Sequence, residues 1–499
     1  MKNSRWALRS AVATAAALAV ATGLGAGPAS AQGSSSADGP MVKLIVAQKS
    51  INVPRYGKHA YIDAGVYVTA VGSALRFNVR RANYAKPLTA TQIIRGPGGT
   101  NIRRPLPGWT VPGWEGLHRF IRITVRNTAG KIMASHINPF CPNSFPQRSS
   151  PNAPRKSPFP QVCQSDPFQL SNAWGIQRGW GVDAAFIFPK LALGKYTVTV
   201  RIMPFWKRSL HLTSQASTKT VKIKVVKPSA CQFPCATRPA SRHPVSHGAL
   251  PQLPANVPTL TSPPAKSLPD LVPLPSWGIR VFHFRGPNSP DVLSFGATVW
   301  SGGRSRLDVE GFRSNGSPTM KAYQYFWKNG RIIGRARAGT MGFDGKPGHT
   351  HWHFQQFAQY RLLNKAKTNV VRSRKVGFCI APTDPVSLLM PHALWQPNFT
   401  GFFSGACGSP SALSVQEMMP IGWGDTYEQF LPGQAFNITK IPNGTYYIEI
   451  IANPNKVLHE TNYRNDVSLR KIILGGTLGN RTVKVPAVHG IDPENMTGP

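Results

Sequence analysis

The sequence predicts an all-β protein: two β-sandwich-like domains joined by a proline-rich linker, the second of them rich in loops. Three observations carry this. Short segments alternate apolar and polar side chains, the mark of strands with one buried face. Proline and glycine number 46 each, which favours turns over long helices. A stretch dense in proline and without periodicity separates two such strand-bearing regions.

At 499 residues the chain is longer than one ordinary domain, and two or three are expected. Hydrophobic residues make up 41% and aromatics 10%, enough for proper cores. Charged residues are only 15%, with 58 Lys+Arg against 19 Asp+Glu, a formal net charge of +39.

Residues 1–31 read as a signal peptide. Lys2, Arg5 and Arg9 precede an apolar run of Ala, Val and Leu, and Ala29-Ser30-Ala31 is a small-x-small cleavage site. The run is short and broken by glycines, unlike a membrane anchor, so the protein is expected to be secreted. Outside the cell, the basic excess points to anionic cell-envelope or extracellular polymers as partners. Nucleic acid is not expected.

Residues 42–226 read as an N-terminal β domain to which the sequence assigns no role. Its alternating segments are 119–127, 195–202 and 219–227. Residues 227–267 form the linker, as in "LPQLPANVPTLTSPPAKSLP". Strand patterns return over 268–475, at 292–300, 359–364 and 444–454. Gly194-Lys195-Tyr196 and Gly444-Thr445-Tyr446 open similar strands. We read them as a common turn-to-strand solution rather than a repeat. Residues 476–499 are expected to be a flexible tail. Six cysteines suit an oxidising compartment and fall in local pairs: Cys141 with Cys163, Cys231 with Cys235, Cys379 with Cys407. Six allow 15 connectivities, so local pairing is an expectation only.

The chemistry begins at "HTHWH". His349, His351 and His353 share one face if the segment is extended, while Thr350 and Trp352 point away. Imidazoles suit copper, zinc, iron or nickel. Three of them reach one metal only if the strand bends and the rings converge.

Four ordered segments, "SLPDLV", "HTHWH", "RKVGFC" and "GWGDTY" continued through "HETNYRND", resemble the catalytic domain of the lysyl oxidase family. These are copper-dependent oxidases of peptidyl lysine and other primary amines. The resemblance covers roughly 268–474, and it implies a role for each matching residue. His349, His351 and His353 are the copper ligands. Lys375, in the K-x-x-F-C context of Phe378-Cys379, and Tyr427, closing Asp425-Thr426-Tyr427, form the cofactor lysine tyrosylquinone. That group condenses with a primary amine, takes its electrons and passes them to O2. A base must remove a proton, and Asp425 or Asp344 is the candidate. A calcium site is implied at Asp270, Glu460, Asn462, Asn465 and Asp466, a set of oxygens that calcium accepts. Here Asn462 stands for an acidic residue and Asp466 for an amide. The tryptophan-rich lead-in of the animal enzymes is absent, with "TMGFDGKPGH" in its place.

The function expected is a secreted amine oxidase that converts peptidyl lysine or small primary amines to aldehydes. The alternative is a secreted envelope- or polymer-binding protein whose oxidase domain is inactive or secondary.

Overall fold

A computed structural model describes residues 41–164, 166–228, 256–283, 289–313, 317–344, 351–373, 375, 377–396, 407–431 and 433–495. The signal-peptide segment 1–31, His349, Cys231 and Cys235 lie outside the described residues.

The fold is all-β, with two short α-helices among the described residues, Pro204–Ser209 and Ser214–Ser217. Alternation explains most strands. In Leu117–Asn127, Ile121, Ile123 and Val125 are buried while Arg122 and Arg126 are exposed. The strand Gly194–Ile202 pairs antiparallel with it and with Thr218–Val226. Their inward residues, with Trp114, Trp174 and Trp206, make one core between residues 42 and 225.

A second core fills the C-terminal part, between Leu271 and Leu474. Three sheets surround it. The first orders Leu271–Pro273, Asp291–Ser301, Trp423–Tyr427 and Asp384–Pro385. The second runs from Gly377–Phe378 through His351–Gln355 to Arg331–Asp344, Thr319–Lys328, Leu307–Phe312 and Ser414–Met419. The third contains Ala358–Leu363, Gly444–Ala452 and Val467–Thr477. Asp291–Ser301 is buried on both faces, its polar residues Asp291, Ser294, Thr298 and Ser301 included.

Gly194 and Gly444 take positive φ, and each is followed two residues later by a tyrosine whose hydroxyl turns back. Tyr196 donates to Ala192 O at 3.0 Å and Tyr446 to Pro442 O at 2.8 Å. Each module thus fixes a strand entry with a tyrosine corner.

Two expectations need correction. The end of the chain is not a loose tail throughout. Asn480–Lys484 adds an edge strand to Val467–Thr477, and the Glu494 carboxylate accepts the Ile279 N–H at 2.8 Å. The last part of the proline-rich stretch also packs down: the Leu260 N–H donates to Arg335 O and the Arg335 N–H to Pro258 O, both at 2.8 Å. In each case the backbone finds partners on neighbouring strands that local composition does not reveal.

Candidate active site

The histidine strand His351–Gln355 lies between two partners. Asp344 pairs with His351 and Gly342 with His353 on one side, and Phe354 pairs with Phe378 on the other. Alternation turns Trp352 and Phe354 into the core, both fully buried. The Trp352 backbone N–H donates to Cys407 O at 2.8 Å, and its indole N–H to Ser409 O at 2.9 Å. The guanidinium of Arg313 covers the same indole at 4.5 Å. So anchored, the strand presents His351 and His353 together, their ring centroids 4.6 Å apart. That is closer than the roughly 6.6–7 Å between alternate residues of a flat strand, so the rings converge. Gly377 makes room for this: a Cβ there would stand 2.9 Å from His353 Cβ.

Lys375 meets Tyr427 in the next layer. The Lys375 Nζ lies 4.0 Å from the centroid of the Tyr427 ring and 5.0 Å from that of Phe378. The backbone steers it there. The Lys375 N–H donates to Ser373 Oγ at 3.1 Å, and that hydroxyl donates to Gly433 O at 3.1 Å. Gly433, at φ 86°, carries no side chain, and a Cβ would press to 3.1 Å from Lys375 Cβ. The phenol oxygen of Tyr427 accepts the Cys379 N–H at 2.8 Å. Phe378 stands edge-on to its ring at 5.1 Å. The disulfide Cys379–Cys407 joins the residue holding this phenol to the residue holding the histidine strand. The second disulfide, Cys141–Cys163, staples the N-terminal module.

Asp425 shares the Tyr427 face of its strand by alternation, and it is buried. Burial pushes its carboxyl well up; Lys375 pulls it down, and Asp384 adds to the rise. Burial also raises the Tyr427 phenol, with Asp425 reinforcing it. Sequence reasoning missed Glu417 and Asp384. Glu417 Oε2 accepts the Ile380 N–H at 2.9 Å, and burial raises its carboxyl well above the usual range. The one trace of it in the sequence is a carboxyl inside the apolar run "VQEMMP".

Three of the oxygens expected around calcium gather at the join of the module's first and last segments. Asp270 Oδ1, Asn465 Oδ1 and Asp466 Oδ1 are buried without a hydrogen-bond partner among the described residues. The Asn465 amide donates to Asp270 Oδ2 at 3.1 Å. Glu460 takes donors on both oxygens, from Leu271 N at 2.9 Å and Asn453 Nδ2 at 2.6 Å. Burial pushes it up to about 8, with Asp466 and Asp270 adding to the rise. Asn462 Oδ1 accepts the Arg464 N–H at 3.1 Å and caps its own turn. Orphaned buried oxygens beside repelling carboxyls are a donor set that a hard cation would satisfy. Among the described residues, no three His, Cys, Asp or Glu side chains close on one point.

The lysyl oxidase family model matches residues 324–482. Residues 324–482 are a lysyl oxidase family domain. Lysyl oxidase homolog 2 of Gallus gallus is 27% identical over 140 residues, which is 28% of this chain and 16% of that protein. The protein of the same name in Homo sapiens is 26% identical over the same shares. The match thus spans 16% of the length of these lysyl oxidase relatives. A solved structure of a tetra-tandem repeat from the extending region of a large adhesion protein aligns over 87% of this chain and 100% of that one. Its identity is 8% and its TM-score 0.11, so it does not bear on the fold. The lysyl oxidase match takes in His351, His353, Lys375, Tyr427 and the segment 460–466.

Proposed function

We propose that this protein is a secreted, copper-dependent amine oxidase. Its reaction is RCH2NH2 + O2 + H2O → RCHO + NH3 + H2O2, on peptidyl lysine or small primary amines. The observation that carries this reading is the Lys375 amine lying 4.0 Å from the Tyr427 ring centroid, both buried, with two converging imidazoles on a strand of the neighbouring sheet.

His351 and His353, with His349, would hold copper, and imidazoles are ligands that copper favours. Lys375 and Tyr427 would form lysine tyrosylquinone, which supplies an electrophilic carbonyl and a two-electron sink. The remaining groups belong to the chain itself. The Cys379 N–H points at the phenol oxygen and stabilises charge there. Asp425, buried on the Tyr427 face of its strand with Lys375 drawing it toward its ionised form, is the group to accept the proton from the amine's α-carbon. Phe378 closes one side of the ring against water. Asp270, Asn465 and Asp466, with Glu460 and Asn462, would take calcium and tie the start of the module to its end. Two disulfides support an oxidising, extracellular setting.

The test is chemical. After copper loading, a tryptic digest should contain one peptide pair joined through Lys375 and Tyr427, with a mass below the sum of its parts. His351→Ala should lose both copper and the link while remaining folded. Unmodified Tyr427 in active, copper-loaded protein would rule the reading out.

A second observation favours an anionic polymer as partner. A cavity of about 1220 Å³ is lined by Lys266, Arg304, Arg306 and Lys328, with Asp270 as the one carboxylate among the described lining residues. Four cations around one opening suit an acidic polysaccharide. Retention on an anionic-glycan resin, released by salt and weakened by Arg304→Glu, tests it.

A further inference from the structure

The chemistry proposed for Tyr427 uses one face of the strand Trp423–Tyr427. The opposite face carries Gly424 and Thr426. Thr426 Oγ1 lies 2.9 Å from Thr298 Oγ1, its cross-strand partner. Thr298 Oγ1 donates in turn to Asp166 Oδ2 at 2.6 Å. Asp166 belongs to the N-terminal module. It is fully buried, as is Thr298, and Thr426 nearly so. The other Asp166 oxygen accepts the Phe168 N–H at 2.7 Å. The Thr426 backbone N–H donates to Thr383 Oγ1 at 2.7 Å, so both polar handles of Thr426 are held.

The loop that delivers Asp166 is anchored from two sides. From its own module, the Arg81 guanidinium donates to Pro167 O at 2.7 Å and Gln169 O at 2.9 Å. From the oxidase side, the Leu170 N–H donates to Val386 O at 2.6 Å, and the Leu388 N–H to Ser171 O at 3.1 Å. The Leu389 N–H donates to Ser171 Oγ at 3.0 Å. Val386 follows Asp384–Pro385, which pairs directly with Gly424 and Trp423. Phe168 seals the join against Leu274, Trp300 and Val386. Two routes therefore lead from the N-terminal module to the tyrosine strand, one through hydroxyls and one through the backbone ladder.

A buried carboxyl at a join is costly, and an apolar residue would serve adhesion better. Burial pushes Asp166 up to about 7; Asp384 and Glu428 press the same way, and Arg81 and Tyr84 also face it. In that place it makes two hydrogen bonds, to the Phe168 N–H and the Thr298 hydroxyl, that apolar packing cannot make.

We propose that Asp166 is a positioning residue for the redox tyrosine: through Thr298 it fixes Thr426, and so sets where the Tyr427 ring stands against Lys375. The N-terminal module is then part of the oxidase centre. This rests on the reading of Lys375 and Tyr427 as cofactor precursors. The physical basis is the steep dependence of bond formation on approach, since a misplacement of about 1 Å costs on the order of a hundredfold in rate.

Three full-length variants separate positioning from packing. Thr298→Val keeps the shape and removes the hydroxyl. Thr298→Ser keeps the hydroxyl and removes the methyl, which packs over Gly424. Asp166→Asn can accept at one oxygen but cannot accept from both Phe168 and Thr298. Two quantities are measured: the rate at which the Lys375–Tyr427 peptide link appears after copper addition, and amide hydrogen exchange at Thr426 and Tyr427 in metal-free protein. Thr298→Val and Asp166→Asn should slow linking by at least about tenfold and speed exchange, with Thr298→Ser within about threefold of wild type. Linking and exchange unchanged in Thr298→Val, or Thr298→Ser slower than Thr298→Val, overturns the proposal. A wild-type protein that never links overturns the oxidase reading instead, and the metal-free exchange comparison still decides the positioning contact.

Discussion

Replacing Cys379 and Cys407 together by alanine should cost stability and disorganise the centre at once. The bridge closes a loop of sequence separation 28. In the chain-entropy description, closing a loop of that length is worth about 3.6 kcal/mol at 25 °C. Alanine introduces no new buried polar group, so the loss should fall near that figure. The functional effect has a separate origin. The Cys407 carbonyl holds the Trp352 N–H, and the Cys379 N–H holds the Tyr427 oxygen. Without the bridge, the histidine strand and the phenol can drift apart independently. Urea unfolding of the full chain, followed by tryptophan fluorescence, measures the first effect. Copper stoichiometry and the yield of linked peptide measure the second. A loss below about 1 kcal/mol with an unchanged yield would refute the reasoning, because the bridge would then constrain neither the unfolded chain nor the site.

Calcium should raise the unfolding midpoint, by about 2.7 kcal/mol in stability when its concentration is a hundred times the dissociation constant. Asp270→Ala and Asp466→Ala should each abolish the gain, and a gain retained in both would remove the site from this corner. Asp308 is fully buried, accepts from the Trp327 indole and the Gln416 amide, and is pushed up to about 6 by burial. Its folded form keeps a proton that the unfolded chain releases near pH 4. It therefore stabilises below that value, and the contribution is lost as pH rises through 6, by roughly 3 kcal/mol in all. The wild-type minus Asp308→Asn stability difference should follow that slope in urea titrations from pH 4 to 7; a flat difference would contradict it. With a net charge of +39, small amines and lysines in acidic proteins should be oxidised better than polylysine, with salt narrowing the gap. Polylysine proving the best substrate at low salt would show that the local field around Tyr427 governs instead.

What could be read from the sequence depended on the range of the interaction. Alternation is local, so Leu117–Asn127, Gly194–Ile202 and Gly444–Ala452 were legible within a residue or two. The local cysteine pairs Cys141–Cys163 and Cys379–Cys407 also formed. Lys375 and Tyr427 stood out through their neighbours Phe378-Cys379 and Asp425. Neither shows by itself that Gly433 clears the space beside Lys375, or Gly377 the space beside His353. Asp166, Asp384 and Glu417 left no periodic trace, because each carboxyl acquires its meaning from strands distant in sequence. Asn480–Lys484 was hidden for a related reason: it is an edge strand whose mostly polar side chains resemble a tail.

The join around Phe168 also decides where this chain can be cut. Severing the two modules near the middle would uncover Phe168, Trp300, Leu274 and Val386, which are now covered. It would also free the backbone groups of Val386 and Leu388 that now pair with residues 170 and 171. An apolar patch beside an unpaired backbone edge invites self-association. An isolated C-terminal fragment would therefore tend to precipitate or pair with its own copies, and low yield from such a fragment would report on its exposed edge rather than on the chemistry of its centre.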